Sequence, residues 1–395
     1  MKKKNYNITP KDELYNRIAR LQERLNAAGL QGALLAQNVD LLYFSGTCQD
    51  AHLLVPAQGE PLLMVRKSYE RALEESTLEK IIPIKNYHDI KNNIFAVLKG
   101  HGPVGLEYDV LPTSRYLRFK EMLAPLETAD ISGYIREIRM IKSPYEIEII
   151  KEAVNVSIDV YREVPTLIRE GMTELELSRS LEYRLGIKGD QGNPRMRAFN
   201  QEAPPHVLSG SNGAYASFFD GPTGGAGPST AFPQGPGFKK LNRNEPILVD
   251  VSAALYGYTA DHTRIYSLGR VADNLYQAHQ AARQIKQSIL QQARPGIDSK
   301  ELYELACQIA AEAGFGNYFM GQGVSFVGHG LGLELDELPV IAKNRNYTMQ
   351  PGMVLALEPK FVFPGLGTVG VEDTYVMTEN GLQLLNDLDD DICVI

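Results

Sequence analysis

Asp250, Asp261, His329, Glu358 and Glu372 are the residues whose types and surroundings could do chemistry together. Asp250 closes the apolar run Pro246-Ile247-Leu248-Val249, and Asp261 follows Gly257-Tyr258-Thr259-Ala260. His329 stands among glycines in Gly328-His329-Gly330-Leu331-Gly332. Glu358 follows a second apolar run and precedes Pro359, and Glu372 sits in Val369-Gly370-Val371-Glu372-Asp373-Thr374. Four carboxylates and one imidazole make a hard, oxygen-rich donor set. Such a set suits Mn²⁺, Co²⁺, Fe²⁺ or Zn²⁺, with enough donors for two ions sharing bridging carboxylates. A single Asp at a strand end is more often a cap or turn residue than a ligand; five donors in these contexts form a pattern.

The spacing explains how they could meet. Asp250 and Asp261 read as lying on adjacent strands joined by a hairpin around Ala254-Leu255-Tyr256-Gly257. Glu358 and Glu372 would meet in the same way across the stretch from Pro359 to Gly370. Glycines on both sides of His329 permit close backbone approach. Two ions about 3.5–4 Å apart would lower the pKa of a water and polarise a substrate carbonyl.

In this order and with these neighbours, the five residues resemble the signature of the creatinase/aminopeptidase P/prolidase (M24, pita-bread) metallopeptidase family. The resemblance covers nearly the whole chain. Asn38-Val39-Asp40-Leu41-Leu42-Tyr43-Phe44-Ser45-Gly46 is similar to a habitual segment of the family's N-terminal domain, and the stretch from Arg136 to Glu146 is similar to its linker. The resemblance implies a two-domain α/β protein. A creatinase/prolidase-like N-terminal domain would occupy residues 1–136, and a pita-bread α+β catalytic domain residues 137–395. It implies a metal-dependent hydrolase of the Xaa-Pro aminopeptidase or dipeptidase type, holding two divalent ions with Mn²⁺ first among Mn, Co, Zn and Fe. Glu358 would double as general base, and Tyr258 and Arg264 would buttress the ligands. A cytoplasmic homodimer acting on small peptides is the matching expectation.

Two family histidines that handle substrate are replaced here. One position holds Ser217, downstream of Gly210-Ser211-Asn212-Gly213-Ala214, and the other Asp336, followed by Glu337. Gly370 stands where many relatives carry Arg. An Asp donates no hydrogen bond unless protonated, so Asp336 implies altered substrate handling. His206, opening the strand before Gly210, is a candidate catalytic residue beside Asp336. Ser217, Glu337 and Arg197 are candidates for substrate contact, Arg197 toward a carboxylate. His262 reads as a core residue pointing away from Asp261, and His52 as structural unless its domain borders the pocket. The alternative is a creatinase-like or lyase-type enzyme acting on a small, cationic non-peptide; a third reading is a non-catalytic, metal-stabilised binding protein.

The elements that must position these residues are legible in outline. A helix over 11–29 shows Leu14, Ile18, Leu21 and Leu25 at helical spacing. Strands and helices then alternate to about residue 134, as in an α/β domain. Ser143-Pro144 with Glu146, and Thr173 with Glu176, are capping boxes opening two helices. Residues 217–237 hold ten Gly or Pro in 21 positions and read as a pocket-shaping loop. Strands at 246–252, 256–259 and 264–268, helices at 271–292 and 298–313, and strands from 340 onward complete the pattern.

The rest is exclusion. The 395 residues are 44% hydrophobic and 22% charged, with net charge −8, which argues against a nucleic-acid binder. Met1-Lys2-Lys3-Lys4 is basic, but no apolar stretch follows, so no secretory signal is read there. No run reaches the length of a membrane span. Cys48, Cys307 and Cys393 are odd in number and far apart, as in a reducing compartment.

Overall fold

The computed structural model describes residues 6–321 and 323–395; the basic Met1-Lys2-Lys3-Lys4 run lies outside them. The chain divides into two compact units, Met1–Arg139 and Met140–Ile395. The sequence reading put the junction at residue 136. The difference is the last turn of the helix Ser132–Met140, whose Ile135, Ile138 and Arg139 are buried. The Arg139 guanidinium pairs with the fully buried Asp40 at 2.8 Å, which ties that turn into the first unit.

The first unit runs α1 (Lys11–Ala27), β1 (Gly32–Leu35), α2 (Asn38–Ser45), β2 (Ala51–Pro56), β3 (Leu62–Val65), α3 (Tyr69–Glu75), β4 (Ile81–Pro83), α4 (Tyr87–Val97), β5 (Val104–Leu106), α5 (Thr113–Leu123), β6 (Thr128–Asp130) and α6 (Ser132–Met140). The strands form one mixed sheet in the order β4-β3-β2-β1-β5-β6. Leu14, Ile18, Leu21 and Leu25 of α1 are buried, one face at helical spacing. The family-like segment forms the helix Asn38–Ser45. Gln37 accepts from the Val39 and Asp40 amides at its start, and Gly46 closes it at φ 79°. His52 lies in this unit's core against Phe119 and Tyr87.

The second unit runs α7 (Pro144–Tyr161), α8 (Val164–Leu167), α9 (Glu174–Ile187), β7 (His206–Ser209), β8 (Ile247–Asp250), β9 (Ala253–Leu255), β10 (Tyr258–Ala260), β11 (Thr263–Ser267), α10 (Asp273–Gln292), α11 (Ser299–Glu312), β12 (Phe326–Gly330), β13 (Glu337–Ala342), β14 (Val354–Leu357), β15 (Lys360–Phe363), β16 (Gly367–Gly370), β17 (Asp373–Thr378), β18 (Gly381–Leu384) and β19 (Cys393–Val394). The late strands begin at Phe326, not at 340, because glycine-rich Gly328-His329-Gly330 still pairs on both sides. Both expected capping boxes are formed, at Ser143/Glu146 and Thr173/Glu176.

Two sheets carry the site. One has the order β19-β11-β8-β7 and the other β13-β12-β14-β17-β18. A bridge between Thr263 and Glu372 joins them. Leu275, Ala278, Ala282, Ile285 and Ile289 of α10, with Leu302 and Ala306 of α11, pack on Val327, Leu355, Leu357 and Tyr375 of the second sheet. Val156 and Val160 of α7, with Leu177 and Leu181 of α9, pack on Val207, Ile247 and Val249 of the first. Each sheet therefore has a helix pair on one face.

Candidate metal centre

The four expected carboxylates come from strand ends, in two matching arrangements. In the first sheet β8 pairs antiparallel with β11, Asp250 opposite Thr263, and the β9–β10 hairpin fills the chain between them. In the second, β14 pairs with β17, Leu357 opposite Asp373, and the β15–β16 hairpin fills the gap. Asp250 and Asp261 thus flank one hairpin, and Glu358 and Glu372 the other. The Thr263–Glu372 bridge brings the two pairs together. His329 enters on β12, opposite Ala356 of β14.

The glycines around His329 are required by contact. A Cβ on Gly330 would lie 2.2 Å from the Leu338 carbonyl oxygen, and one on Gly328 2.7 Å from that of Ala356.

His329 Nε2 lies 4.0 Å from Asp261 Oδ2, 3.8 Å from Glu358 Oε1 and 3.9 Å from Glu372 Oε1. These separations exceed hydrogen bonds but suit donors spread around one ion at about 2.0–2.2 Å from each. Asp261, His329, Glu358 and Glu372 are all buried. Burial, then Glu372 and Asp250, holds the Asp261 carboxyl well above the usual range. Burial also pushes Glu372 up to about 7, with Lys360 opposing and Glu358 and Asp250 adding. So dense an anionic cluster fits cations and not an apolar core.

Neighbouring groups hold the donors in place. Thr263 Oγ1 donates to Glu372 Oε2 at 2.7 Å, and the Arg264 guanidinium donates to the Glu372 carbonyl at 2.9 Å and to Asp373 Oδ1 at 2.6 Å. Thr374 Oγ1 accepts from the Asp261 amide and donates to its carbonyl, both at 3.0 Å. His329 Nδ1 lies 3.1 Å from the Gly330 carbonyl and 3.2 Å from Asp336 Oδ1. Two acceptors there place a proton on Nδ1 and orient Nε2 toward the carboxylates.

A cavity of about 50 Å³ lies over the cluster. Its walls include His206, Phe219, Asp220, Pro222, Phe326, Leu335 and Asp336 with the five donors. His206 faces Asp250 across β7–β8, and its Nδ1 lies 2.9 Å from Thr223 Oγ1. Its Nε2 is buried without a hydrogen-bond partner among the described residues. Burial lowers this imidazole to about 4, so it is neutral at pH 7.

Three expected substrate contacts lie elsewhere. Ser217 lines a neighbouring cavity with Tyr215, Tyr318 and Val362, where its Oγ accepts from the Phe219 amide at 3.2 Å. The loop turns at Phe219–Thr223, which wall both cavities, so Ser217 falls on the far side. Glu337 is turned inward, bonded to Lys142 Nζ at 3.0 Å and to the Glu334 amide at 3.1 Å. Arg197 is buried 3.7 Å from Glu334. Neither lines the metal cavity. Tyr258 donates to Glu146 Oε1 of the α7 capping box at 3.1 Å, bracing the helix behind the site. His262 is a core residue, its Nδ1 3.2 Å from Ser157 Oγ.

The 217–237 loop is fastened at buried Glu174. Its carboxylate accepts from Ser209, from Asn212 Nδ2 at 2.6 Å and from the Gly237 amide at 3.1 Å. Asn212 Oδ1 in turn accepts from the Ala226 amide.

One group in the cluster escaped the sequence reading. Lys360 Nζ donates to Asp250 Oδ2 at 2.9 Å, Glu358 Oε2 at 2.9 Å and Glu372 Oε2 at 2.7 Å, with 1% of its side chain exposed. Burial would lower this ammonium, but Asp250, Glu358 and Glu372 hold it well above its ordinary value. The signal was present: residues two apart in extended chain share a face, and Lys360 follows Glu358 by two.

Residues 148–379 match the model of metallopeptidase family M24, and residues 17–141 that of the creatinase/prolidase N-terminal domain. The chain belongs to metallopeptidase family M24. Like the family, it is a metal-dependent peptide hydrolase. The non-peptide alternative is not favoured. Among the relatives of this M24 peptidase, an Xaa-Pro dipeptidase of Pyrococcus furiosus is 28% identical over 374 residues, 93% of this chain and 97% of that one. An uncharacterized peptidase of Bacillus subtilis, YqhT, is 25% identical over 374 residues, 92% of this chain and 96% of that one. The structure of a prolidase from Pyrococcus furiosus superposes with a TM-score of 0.78 at 27% identity, covering 93% of this chain and 99% of that one. An Xaa-Pro dipeptidase from Bacillus anthracis shares the fold, with a TM-score of 0.85 at 24% identity over 97% of this chain and 100% of that one.

Proposed function

We propose that this M24 peptidase removes the residue preceding proline from short peptides, with a metal centre built on Asp250, Asp261, His329, Glu358 and Glu372. The observation that carries the reading is the convergence of three carboxylate oxygens at 3.8–4.0 Å on Nε2 of His329. A divalent ion bound there supplies an activated water and polarises the scissile carbonyl; Mn²⁺ is the first candidate. Glu358 Oε1, on the His329 side, takes the proton from the attacking water and returns it to the leaving amine. Neutral His206, its Nδ1 held by Thr223, offers Nε2–H to the carbonyl oxygen as charge develops. Asp336 keeps His329 in the ligating tautomer.

The cavity walls bear on substrate class. Phe219, Pro222, Phe326 and Leu335 offer apolar surface to a proline ring, and Asp220 and Asp336 offer charge to a peptide's α-ammonium. No arginine lines the cavity among the described residues, so a dipeptide's carboxylate has no such partner there. This favours an aminopeptidase over a strict dipeptidase. Family resemblance supports a cytoplasmic homodimer, to be checked by sedimentation. No helix among the described residues is long and apolar enough to cross a membrane, and none of the three cysteines forms a disulfide.

The test is hydrolysis of Xaa-Pro dipeptides and Xaa-Pro-Yaa tripeptides by Mn²⁺-loaded protein, with Asp261→Ala as control. Turnover of tripeptides that vanishes in the variant supports the reading. No turnover of either series by metal-loaded protein sinks it.

A further inference from the structure

The carboxylates of the centre are shared two ways. Asp261 Oδ2, Glu358 Oε1 and Glu372 Oε1 face His329 Nε2 at 3.8–4.0 Å. Asp250 Oδ2 and the remaining oxygens, Glu358 Oε2 and Glu372 Oε2, face Lys360 Nζ at 2.7–2.9 Å. Two adjacent cation positions result, bridged by Glu358 and Glu372. One is surrounded by donors and holds no lysine or arginine among the described residues, and the other is filled by an ammonium.

We propose that Lys360 is the resident cation of the Asp250 half, so that the centre takes one divalent ion, on the His329 half, instead of two. This rests on the metallopeptidase reading and changes the expected ion count. An ammonium has three donors and no acceptor. Here three carboxylate oxygens meet three N–H groups at charge-assisted distances, which is what a buried charge requires if desolvation is to be offset. A dication on Asp250 Oδ2 and Glu372 Oε2 would sit about 2.0–2.2 Å from each, in the space Nζ occupies. Charge points the same way. Against four carboxylates, an ammonium and one dication leave one net negative charge, whereas an ammonium and two dications would leave the buried centre positive.

The fold makes room for this side chain. Lys360 opens β15 and pairs with Gly370 of β16. A Cβ on Gly370 would lie 2.4 Å from the Pro359 carbonyl oxygen, 2.7 Å from Lys360 Cα and 2.9 Å from Lys360 Cγ. A glycine opposite Lys360 thus clears the path of the lysine stem into the cluster. Lys360 acts as a positioning residue: it holds Asp250, Glu358 and Glu372 as a metal ion would, but offers no open site to water or substrate.

The test counts ions. Full-length protein is saturated with Mn²⁺, freed of excess, and its metal measured by mass spectrometry beside the Mn²⁺ electron paramagnetic resonance spectrum. One ion per chain with an isolated-ion spectrum is expected for the wild type. Lys360→Ala is expected to take two, with the spectrum of a coupled pair. Anomalous diffraction from wild-type crystals at the manganese edge needs no variant and should show one peak beside His329 and none beside Asp250. Two ions per wild-type chain, or one in both proteins, would overturn the proposal. A wild type that hydrolyses peptides with two ions overturns this inference alone; one that binds no ion overturns the proposed function with it.

Discussion

At the scale of single residues, Asp336 has the most instructive role. In sequence it is a loss, a carboxylate where relatives have a substrate-handling histidine. In space it lies 3.2 Å from Nδ1 of His329 and lines the pocket mouth with 45% of its side chain exposed. A carboxylate there orients the imidazole and raises its basicity toward a metal. Asp336→Ala should therefore weaken Mn²⁺ binding by about 10–100-fold, read by titration calorimetry, while the fold survives because the group is half in water. Unchanged affinity would assign Asp336 to substrate contact only. Lys360 and Asp336 were both within reach of the sequence. Lys360 is two residues from a ligand, and Asp336 was singled out, but the groups they would touch come from other strands. Ser217, Glu337 and Arg197 do not line the cavity over the cluster, because a residue near a candidate donor in sequence can face either side of its strand or loop.

At the scale of elements, the site depends on strands that end where the candidate donors begin. β8 and β14 are four-residue apolar strands that stop at or just before a carboxylate. The hairpins that follow return the chain so that Asp261 and Glu372 precede β11 and β17. The alternation of apolar runs with glycine-bounded turns was readable, and so were the hairpins. The early start of β12 was not, because Gly328-His329-Gly330 carries no β-propensity and is held in the sheet by pairing on both sides. Close approach sets a limit on that strand. Gly330→Ala would drive a methyl to 2.2 Å from a backbone carbonyl that a bulged strand holds in place. We expect a loss of about 1–3 kcal/mol by urea denaturation, with a shift of His329 that lowers metal affinity. A variant as stable as wild type would show that β13 yields.

At the scale of the whole molecule, pH and metal act on stability through opposite groups. His52 in the first unit and His279 in the second are each lowered from 6.5 to about 4 by burial. Unfolded chains bind those protons below pH 6.5 and the folded protein only near 4. The stabilisation is therefore complete above 6.5 and is lost as pH falls from 6.5 to 4, at up to about 1.4 kcal/mol per pH unit for each histidine. Urea midpoints across that range should fall with acid, and His279→Gln should flatten the slope; an equally steep slope would remove His279 from the account. Metal works through mass action. Mn²⁺ at a hundred times its Kd should add about 2.7 kcal/mol, seen as a raised melting temperature that chelation reverses and that Asp261→Ala lacks.

The amino-acid sequence alone determined the candidate donors and their chain order. It also determined the helix starts at Ser143 and Thr173 and the glycine-rich loop that walls the pocket. These features are local: a side-chain oxygen one turn from an amide, or a carboxylate closing an apolar run, carries its meaning within a few residues. Tertiary structure decided how the donors share their oxygens, that Lys360 takes half of the cluster, that Asp336 serves His329, and that Ser217 lies beyond the Phe219–Thr223 turn. Those outcomes depend on pairings between strands distant in the chain, such as Thr263 with Glu372 and Lys360 with Gly370. Register between distant strands is set by the packing of both sheets under their helices, and no single segment encodes it.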